Sequence, residues 1–223
     1  IPGPVVQALR THAAAKDYLP VRGLPLLRRA VCDYLRRTQG LHYVAHNILI
    51  GPGTKELIFL LQLVHDAELV LPSPSWVSYA PQAEIVGRAV QWLPTDAESG
   101  YALSAETLDA HCREQPARPR LLILNHPCNP TGAVYSPDQL EALAGVARRH
   151  GMLVLSDEIY SGTRFDGHHR SLACHYPEGT VISDGLSKWC GAGGWRLGFL
   201  ALPEPLASLG DAMAAVASET FTA

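Results

Sequence analysis

The chain has 223 residues, of which 47% are hydrophobic and 17% are charged, a composition that is typical of a folded globular protein and argues against disorder, collagen-like repeats or a coiled coil. Its 18 lysines and arginines against 21 acidic residues give a formal net charge of -3, so we expect no basic surface that would attract nucleic acid or an anionic membrane. No apolar run approaches the roughly 18 to 20 residues that a membrane span requires, so we expect a soluble protein.

Two kinds of apolar periodicity alternate along the chain. A helical stripe begins at Leu24 and ends before Gly40, and short apolar runs then alternate with longer segments of helical spacing. The further predicted helices cover residues 56–64, 75–86, 104–113 and 138–150, and a helical pattern precedes the last residues. The predicted strands cover residues 47–50, 69–71, 121–124, 152–155, 180–182 and 198–202, and residues 113–119 are predicted to form a polar loop.

Strands that are apolar on both faces and alternate with helices indicate a mostly parallel sheet covered by helices. We therefore predict a three-layer α/β fold with one domain over residues 1–223. The chain begins without a Met at Ile1 and stops at Ala223, a few residues after a helical pattern and without a turn signal, so we expect both ends to be cut from a longer sequence.

The cysteines and histidines give little indication of a metal site. The cysteines are five in number, widely spaced and without a CxxC pair, which fits a reducing compartment better than a disulfide framework, so we expect a cytoplasmic protein. The histidines form no HExxH motif, and the side chains of the adjacent pair His168 and His169 are expected to diverge. We predict no metal site.

Polar side chains follow three of the predicted strands. Asn129 follows the strand at 121–124, Asp157 and Tyr160 follow the next strand, and Lys188 follows the one after. Because ligands bind beyond the carboxyl ends of strands in open α/β sheets, we expect these side chains to gather at one edge. Another strand leads into Gly51-Pro52-Gly53-Thr54-Lys55, where a helix start offers free N–H groups to a phosphate.

This set of side chains suits pyridoxal phosphate. The chain contains only three lysines, Lys16, Lys55 and Lys188, and a lysine amine binds that cofactor as a Schiff base. A buried carboxylate such as Asp157 keeps the pyridine nitrogen protonated, so that the ring can accept an electron pair.

Five motifs along the chain also resemble those of a known enzyme family. They are Gly51-Pro52-Gly53-Thr54-Lys55, Asn129-Pro130-Thr131-Gly132, Asp157-Glu158-Ile159-Tyr160, Ser187-Lys188 and Gly194-Trp195-Arg196-Leu197-Gly198, and Tyr18-Leu19-Pro20 and Gly23-Leu24-Pro25 add to them. In order and approximate spacing they resemble the class I/II aminotransferases, which are fold type I pyridoxal-phosphate enzymes. The resemblance covers essentially the whole chain and implies the large, cofactor-binding domain of that fold.

The resemblance implies an enzyme that moves the amino group of an L-amino acid to a 2-oxo acid through pyridoxamine phosphate. Lys188 would form the Schiff base and then move a proton between the substrate and the cofactor. Asp157 would pair with the pyridine nitrogen. Tyr160 and Asn129 would donate hydrogen bonds to the phenolic oxygen of the cofactor.

The remaining implied residues hold the phosphate and the ring. Arg196 would grip the phosphate with two hydrogen bonds, and Gly53, Thr54 and Lys55 would complete the phosphate site. Trp76 occupies the position at which the family stacks an aromatic ring on the pyridine.

Tyr18 matches a tyrosine that reaches the phosphate in the neighbouring subunit, so the resemblance implies a homodimer. Many relatives carry a phosphate-binding serine where this chain has Gly185. Ser183 or Ser187 would substitute for it, unless the contact is absent.

Two parts of the family site fall outside this chain, and other functions stay open. The arginine for the substrate carboxylate lies in a C-terminal small domain, and an N-terminal segment closes over the substrate. A β-lyase of the same fold is one alternative, because the cleaved bond is the one held perpendicular to the ring. A non-catalytic domain that binds or senses the cofactor is another. The residues leave acidic, aromatic and aliphatic substrates equally open.

Overall fold

The computed structural model describes residues 1–114, 118–165, 167 and 169–221. Within these residues there are seven α-helices: α1 (Gly3–His12), α2 (Pro25–Gln39), α3 (Thr54–Val64), α4 (Tyr79–Ile85), α5 (Ala105–Glu114), α6 (Pro137–Arg149) and α7 (Ala207–Thr220). The same residues form seven strands: β1 (Ile48–Gly51), β2 (Glu68–Ser73), β3 (Val90–Pro94), β4 (Arg120–Asn125), β5 (Leu153–Asp157), β6 (Thr180–Gly185) and β7 (Gly198–Ala201).

The strands form one mostly parallel sheet in the order β1-β7-β6-β5-β4-β2-β3. Neighbours from β3 through β2, β4 and β5 to β6 pair in parallel, whereas β7 pairs antiparallel with both β6 and β1. Parallel neighbours require a crossover between them, and helices make these crossovers. The α/β fold predicted from the sequence is confirmed.

Helices cover both faces of the sheet. Leu121 and Ile123 of β4 pack into a core with α3, α4 and α7, whereas Leu122 and Leu124 pack on the opposite face with α5 and α6. Side chains alternate between faces along a strand, so a strand covered on both sides must be apolar throughout. The helix α2 packs in a third cluster with β1, β6 and β7.

The boundaries differ from the predicted ones in a few places. The sequence analysis missed α1, which buries no residue, and β3, an edge strand in which only Leu93 is buried. The predicted helix at 75–86 begins four residues late, at Tyr79, because Trp76 and its neighbours form an irregular segment and a turn after Pro74. The predicted loop at 113–119 starts later than expected, since α5 runs to Glu114, and residues 115–117 lie outside the described residues.

The described part of the chain contains no helix that is long and apolar enough to cross a membrane. All five cysteines have free thiols.

Candidate active site

A cavity of about 280 Å³ lies at the carboxyl ends of the parallel strands. Most of the site residues predicted from the sequence line it: Thr54, Lys55, Trp76, Asn129, Asp157, Tyr160, Ser187, Lys188 and Arg196. Tyr79, Asn125, Ile159 and Gly193 also line it, and the sequence analysis did not single these out. The fold therefore brings together residues that are up to 142 positions apart, from Thr54 to Arg196.

The register of the strands builds the floor of the cavity. Asn125 at the end of β4 lies beside Asp157 at the end of β5, and Asp157 lies beside Ser183 of β6. The Asn125 side chain donates to the Asp157 carbonyl oxygen at 2.9 Å. Its own oxygen accepts from the backbone N–H of Asn129 at 2.7 Å. One amide thus ties the loop that carries Asn129 to the strand that carries Asp157.

Asp157 is a buried carboxylate with two side-chain donors. It is 2% exposed, and its Oδ2 accepts from the Tyr79 hydroxyl at 2.5 Å while Oδ1 accepts from Ser183 Oγ at 3.3 Å. Burial raises the pKa of Asp157 to about 6, against the opposing effect of the hydrogen bonds from Tyr79, the backbone of Ile159 and Ser183. A cation placed beside this carboxylate would favour its charged form, so the cavity floor is suited to a positively charged ligand atom.

Tyr79 is a site residue that the sequence analysis missed. Its side chain is fully buried, and burial, together with the adjacent Asp157, raises the pKa of Tyr79 well above its usual value. The hydroxyl therefore keeps its proton and acts as a donor to Asp157. The tyrosine lay inside a predicted helix, where its spacing indicated packing and gave no sign of a polar partner.

Lys188 and Tyr160 enter the cavity from neighbouring loops. Lys188 Nζ lies 5.2 Å from the centroid of the Tyr160 ring, within the range of a cation–π contact. The loop after β6 is held by a hydrogen bond from the Gly191 N–H to the Lys188 carbonyl oxygen at 3.0 Å. The lysine side chain is exposed, so its amine is accessible to a ligand.

The opposite end of the cavity is rich in donors for an anion. The helix α3 begins at Thr54, so its first N–H groups and the positive end of its dipole lie at the cavity. Arg196 is held beside it by hydrogen bonds from Nη1 to the Gly193 carbonyl oxygen at 2.7 Å and from Nη2 to the Pro52 carbonyl oxygen at 3.1 Å.

Gly53 immediately precedes α3 and does not itself line the cavity. It has a φ of +91°, and a Cβ at this position would lie 2.3 Å from Arg196 Nη2. A side chain here would therefore be strained in its backbone and would displace the guanidinium. The structure gives Gly53 the role of letting Arg196 approach the start of α3.

The backbone leaves no room for a side chain at Gly185. A Cβ on Gly185 would lie 2.6 Å from the Leu197 carbonyl oxygen and 2.9 Å from Gly198 Cα, so the antiparallel pairing with β7 leaves no room for a side chain. Ser183 is committed to Asp157, whereas Ser187 lines the cavity. Of the two predicted substitutes, Ser187 is the one that lines the cavity, and its contact with a phosphate stays a prediction.

Trp76 and Tyr18 lie differently with respect to the cavity. Trp76 lines it and packs edge-on against Tyr79, with ring centroids 5.1 Å apart, and Lys55 Nζ lies 5.3 Å from the Trp76 ring centroid. Tyr18 is 91% exposed and does not line the cavity. Its predicted contact with a neighbouring subunit stays a prediction.

A second polar cluster is buried on the other side of the sheet. Ser156 and Asp157 are consecutive residues of β5, so their side chains point to opposite faces. Ser156 Oγ donates to Glu158 Oε1 at 2.7 Å. Around Glu158 lie His126 and His169, and we call these three residues the His–Glu–His cluster. Burial lowers the pKa of His126 to about 3, and a positive charge on His169 would act in the same direction, so the His126 ring is neutral.

The sequence analysis predicted no metal site and did not anticipate the His–Glu–His cluster. Its members come from three segments, so no local spacing motif reveals them. Of the pair His168 and His169, only His169 lies among the described residues.

Comparison with known proteins identifies close structural relatives. The sequence matches the family "Aminotransferase class I and II" over residues 5–222. It is 35% identical over 219 residues to the aspartate/prephenate aminotransferase of Thermus thermophilus, covering 96% of this chain and 55% of that protein.

Two solved structures show the same fold. The aspartate aminotransferase from Thermus thermophilus with maleate superposes with a TM-score of 0.91 at 34% identity, covering 98% of this chain and 57% of that one. The aspartate aminotransferase from Rhizobium meliloti superposes with a TM-score of 0.92 at 31% identity, covering 99% of this chain and 56% of that one. The chain thus spans about half the length of the relatives that it matches.

Proposed function

The chain belongs to the family of class I and II aminotransferases, and we propose that the protein is a pyridoxal-phosphate-dependent aminotransferase, which moves the amino group of an L-amino acid to a 2-oxo acid. The observation that carries this proposal is a single cavity in which a lysine amine, a buried carboxylate and an anion-binding helix start lie together. The proposal also covers a cytoplasmic location, which the free thiols of all five cysteines support.

The residues of the cavity fit pyridoxal phosphate. The two ends differ in charge: a buried carboxylate lies at one end, and an arginine with a helix N-terminus lies at the other. A pyridinium nitrogen matches the first end and a phosphate matches the second. The close approach that Gly53 permits between α3 and Arg196 forms a cradle that a Cβ would fill.

Lys188 would carry the covalent link and the proton transfer. When bound, pyridoxal phosphate supplies a conjugated ring that accepts the electron pair released at the substrate carbon. Lys188 Nζ would bind the cofactor and, once released by the substrate amine, would take the proton from the substrate Cα. The Tyr160 ring lies 5.2 Å from Nζ, and Tyr160 and Asn129 would donate hydrogen bonds to the ring oxygen.

Asp157 and Tyr79 would fix the charge at the deep end. The Asp157 carboxylate would hold a proton on the pyridine nitrogen, and a cation there would lower the pKa of Asp157 from its raised value of about 6. Tyr79 holds the carboxylate in place through Oδ2 at 2.5 Å. Trp76 would cover one face of the ring.

Arg196, Thr54, Ser187 and Lys55 would bind the phosphate at the outer end. Arg196 presents a planar fork that can make two hydrogen bonds to one phosphate, and the N–H groups at the start of α3 add uncharged donors. This grip positions the ring with respect to Lys188.

The substrate and the assembly are further parts of the proposal. The names of the relatives favour an amino dicarboxylic acid such as L-aspartate as the first donor to test, with a dicarboxylic 2-oxo acid as acceptor. We also propose that residues 1–223 form the cofactor-binding domain and that the arginine for the substrate carboxylate lies outside this chain. A homodimer would bring the exposed Tyr18 to the phosphate of the neighbouring subunit.

The visible absorbance of the purified protein tests the proposal. With pyridoxal phosphate, the protein should turn yellow, lose its colour with L-aspartate and regain it with a 2-oxo acid. Lys188→Ala should remove the colour, whereas Lys16→Ala, which changes an exposed lysine that does not line the cavity, should leave it unchanged.

The other outcomes distinguish the alternatives. Release of ammonia and a 2-oxo acid from an amino acid that carries a leaving group at Cβ, with the colour retained in the absence of an added 2-oxo acid, would identify a β-lyase. Colour that amino acids do not change, without release of ammonia, would identify a binding or sensor domain. Unchanged colour in Lys188→Ala would overturn the assignment of the lysine.

A further inference from the structure

The His–Glu–His cluster is buried and drawn from separate segments of the chain. His126 is 1% exposed, Glu158 3% and His169 8%. Each offers one nitrogen or carboxylate oxygen, and these three atoms lie within 4.8 Å of one another. The cluster lies on the face of the sheet opposite the Asp157 side chain, so the function proposed above does not use it.

The carboxylate of Glu158 is oriented with one oxygen committed and the other facing a histidine. Oε1 accepts hydrogen bonds from the hydroxyls of Ser156 and Ser171. Oε2 lies 2.9 Å from His169 Nε2. The two serine hydroxyls thus fix Oε1, while Oε2 and His169 Nε2 lie close enough to bind one ion.

The two imidazoles are placed to share an ion with that oxygen. His169 Nε2 is paired with Glu158 Oε2, and His126 Nε2 lies 3.4 Å from Ser156 Oγ. Nδ1 of each ring is buried and has no hydrogen bond among the described residues. The ring centroids of His126 and His169 lie 4.6 Å apart with 39° between the planes, and the edge-on contact with Tyr135 at 5.7 Å helps to fix His126.

We propose that His126, Glu158 and His169 form a zinc-binding site. Two imidazole nitrogens and one carboxylate oxygen are a donor set that zinc takes in proteins, with a fourth position for water or another small ligand. The Ser156 and Ser171 hydroxyls are the outer partners that hold the carboxylate.

A cavity of about 570 Å³ lies beside the site: it reaches His169 and is lined also by Gln39, Ser161 and Arg37. The positive charge of Arg37 opposes the entry of a free cation and favours an anionic fourth ligand, such as hydroxide or chloride, once the metal is bound. We therefore expect slow loading and a site that retains its ion.

The expected effect of the metal is structural. Zinc would join the segments that follow β4 and β5 to the segment around His169. Glu158 directly follows Asp157, so the ion would also stiffen the backbone that carries the pyridine-binding carboxylate. Metal binding is coupled to folding in this way because the unfolded chain does not hold the ligands together.

Cobalt substitution in the purified holoenzyme tests the site. After removal of metal with a chelator, the protein is incubated at length with Co²⁺. Its visible absorbance is then read at wavelengths longer than those at which the cofactor absorbs. We expect one equivalent of tightly bound Co²⁺, with the spectrum of a four-coordinate ion, which Zn²⁺ then displaces. His126→Gln should weaken binding by at least about tenfold. His46→Gln, which changes a histidine with a side chain 63% exposed, should bind as the wild type does.

Two results would overturn the proposal. One is equal binding by the wild type and His126→Gln, which would place the metal on other side chains. The other is the absence of retained Zn²⁺ or Co²⁺ in the wild type. X-ray absorption at the zinc edge of the wild type tests the same site without a variant. A coordination shell of two imidazoles and one carboxylate oxygen would support the site, and a shell that contains sulfur or only water would exclude it.

Discussion

The two ends of the cavity are built in different ways. At the deep end, Asp157 is held by side chains from a neighbouring strand and from α4, all of them buried. At the outer end, Arg196 is an exposed side chain held by two backbone carbonyl oxygens. The deep end therefore depends on strand register and core packing, and the outer end depends on the course of two loops.

This difference decides how strongly each end acts on a charge. An electrostatic interaction is stronger where water is excluded, and a buried charge without its partner is costly. An exposed arginine acts through a medium that water and salt screen. Substitutions at the deep end should thus have the larger effects and should respond little to salt.

The largest effect is expected from Asp157→Asn. This change keeps the shape of the side chain and removes its charge, which would leave the protonated ring nitrogen of the proposed cofactor without its partner. Loss of one partner of a buried pair costs about 3–5 kcal/mol, so kcat/KM should fall by about 10²–10⁴-fold. Steady-state kinetics with saturating cofactor measure this.

Asp184→Asn is the matched control. Asp184 is also buried and belongs to β6, but it does not line the cavity, and its side chain accepts a hydrogen bond from the Gly185 N–H. Equal loss of activity in the two variants would show that the loss results from damage to the fold and not from a role of Asp157 in the reaction.

The second effect concerns the stability of the cofactor-free protein. Burial raises the pKa of Asp157 to about 6, above the value of about 3.9 in an unfolded chain. Between these two values the folded state retains a proton that the unfolded state releases. The contribution of Asp157 to the free energy of unfolding is therefore present at low pH and falls as the pH rises from about 4 to about 6, by about 3 kcal/mol at most.

Denaturant titrations of wild type and Asp157→Asn across this pH range measure that contribution. The buried Asp184, with a pKa well above its usual value, and His126, with a lowered pKa, also titrate abnormally, but both are present in the two proteins and largely cancel in the difference. We expect the variant to gain stability relative to the wild type as the pH rises through this window. A difference that does not change with pH would contradict the raised pKa.

The third effect is expected from Tyr79→Phe, which removes the donor to Asp157 Oδ2. A hydrogen bond to a charged group contributes about 1.5–3 kcal/mol, so kcat/KM should fall by about 10–100-fold. Because this hydrogen bond lowers the pKa of Asp157, its loss should raise that pKa, and the acid limb of the pH profile should move to higher pH.

Tyr176→Phe is the control for this prediction. Tyr176 is buried and its hydroxyl donates to the Met152 carbonyl oxygen at 3.0 Å, away from the cavity. If Tyr79→Phe lowers the stability of the protein without shifting the pH profile of kcat/KM, the role of Tyr79 is confined to packing.

The sequence predicted which side chains line the cavity better than it predicted which residues hold them in place. Lys188 and Asp157 could be identified because each lies in a motif that directly follows an apolar strand. Asn125 and Tyr79 could not, since their roles depend on which strands are neighbours and on where α4 begins. The same limit explains the His–Glu–His cluster, whose contacts cross three segments. An edge strand such as β3, with one buried residue, gives too weak an apolar pattern to be recognised.

The smallest effect is expected at the outer end, from Arg196→Lys. Lysine keeps the charge but loses the planar fork that donates to the carbonyl oxygens of Gly193 and Pro52 and that would bind the phosphate of the proposed cofactor. We expect the affinity for pyridoxal phosphate to fall by about fivefold to tenfold, or roughly 1 kcal/mol, and the affinity for pyridoxal, which lacks the phosphate, to stay unchanged. Arg29→Lys, at an exposed position on α2, is the control. Salt sharpens the comparison between the two ends: because the side chain at position 196 is exposed and charged in both proteins, added salt should weaken phosphate binding by the wild type and by Arg196→Lys alike, whereas the effect of Tyr79→Phe should persist. Equal sensitivity to salt at both ends would mean that water reaches Asp157 in the working enzyme. The electrostatic interactions at the buried and exposed ends would then not differ in strength.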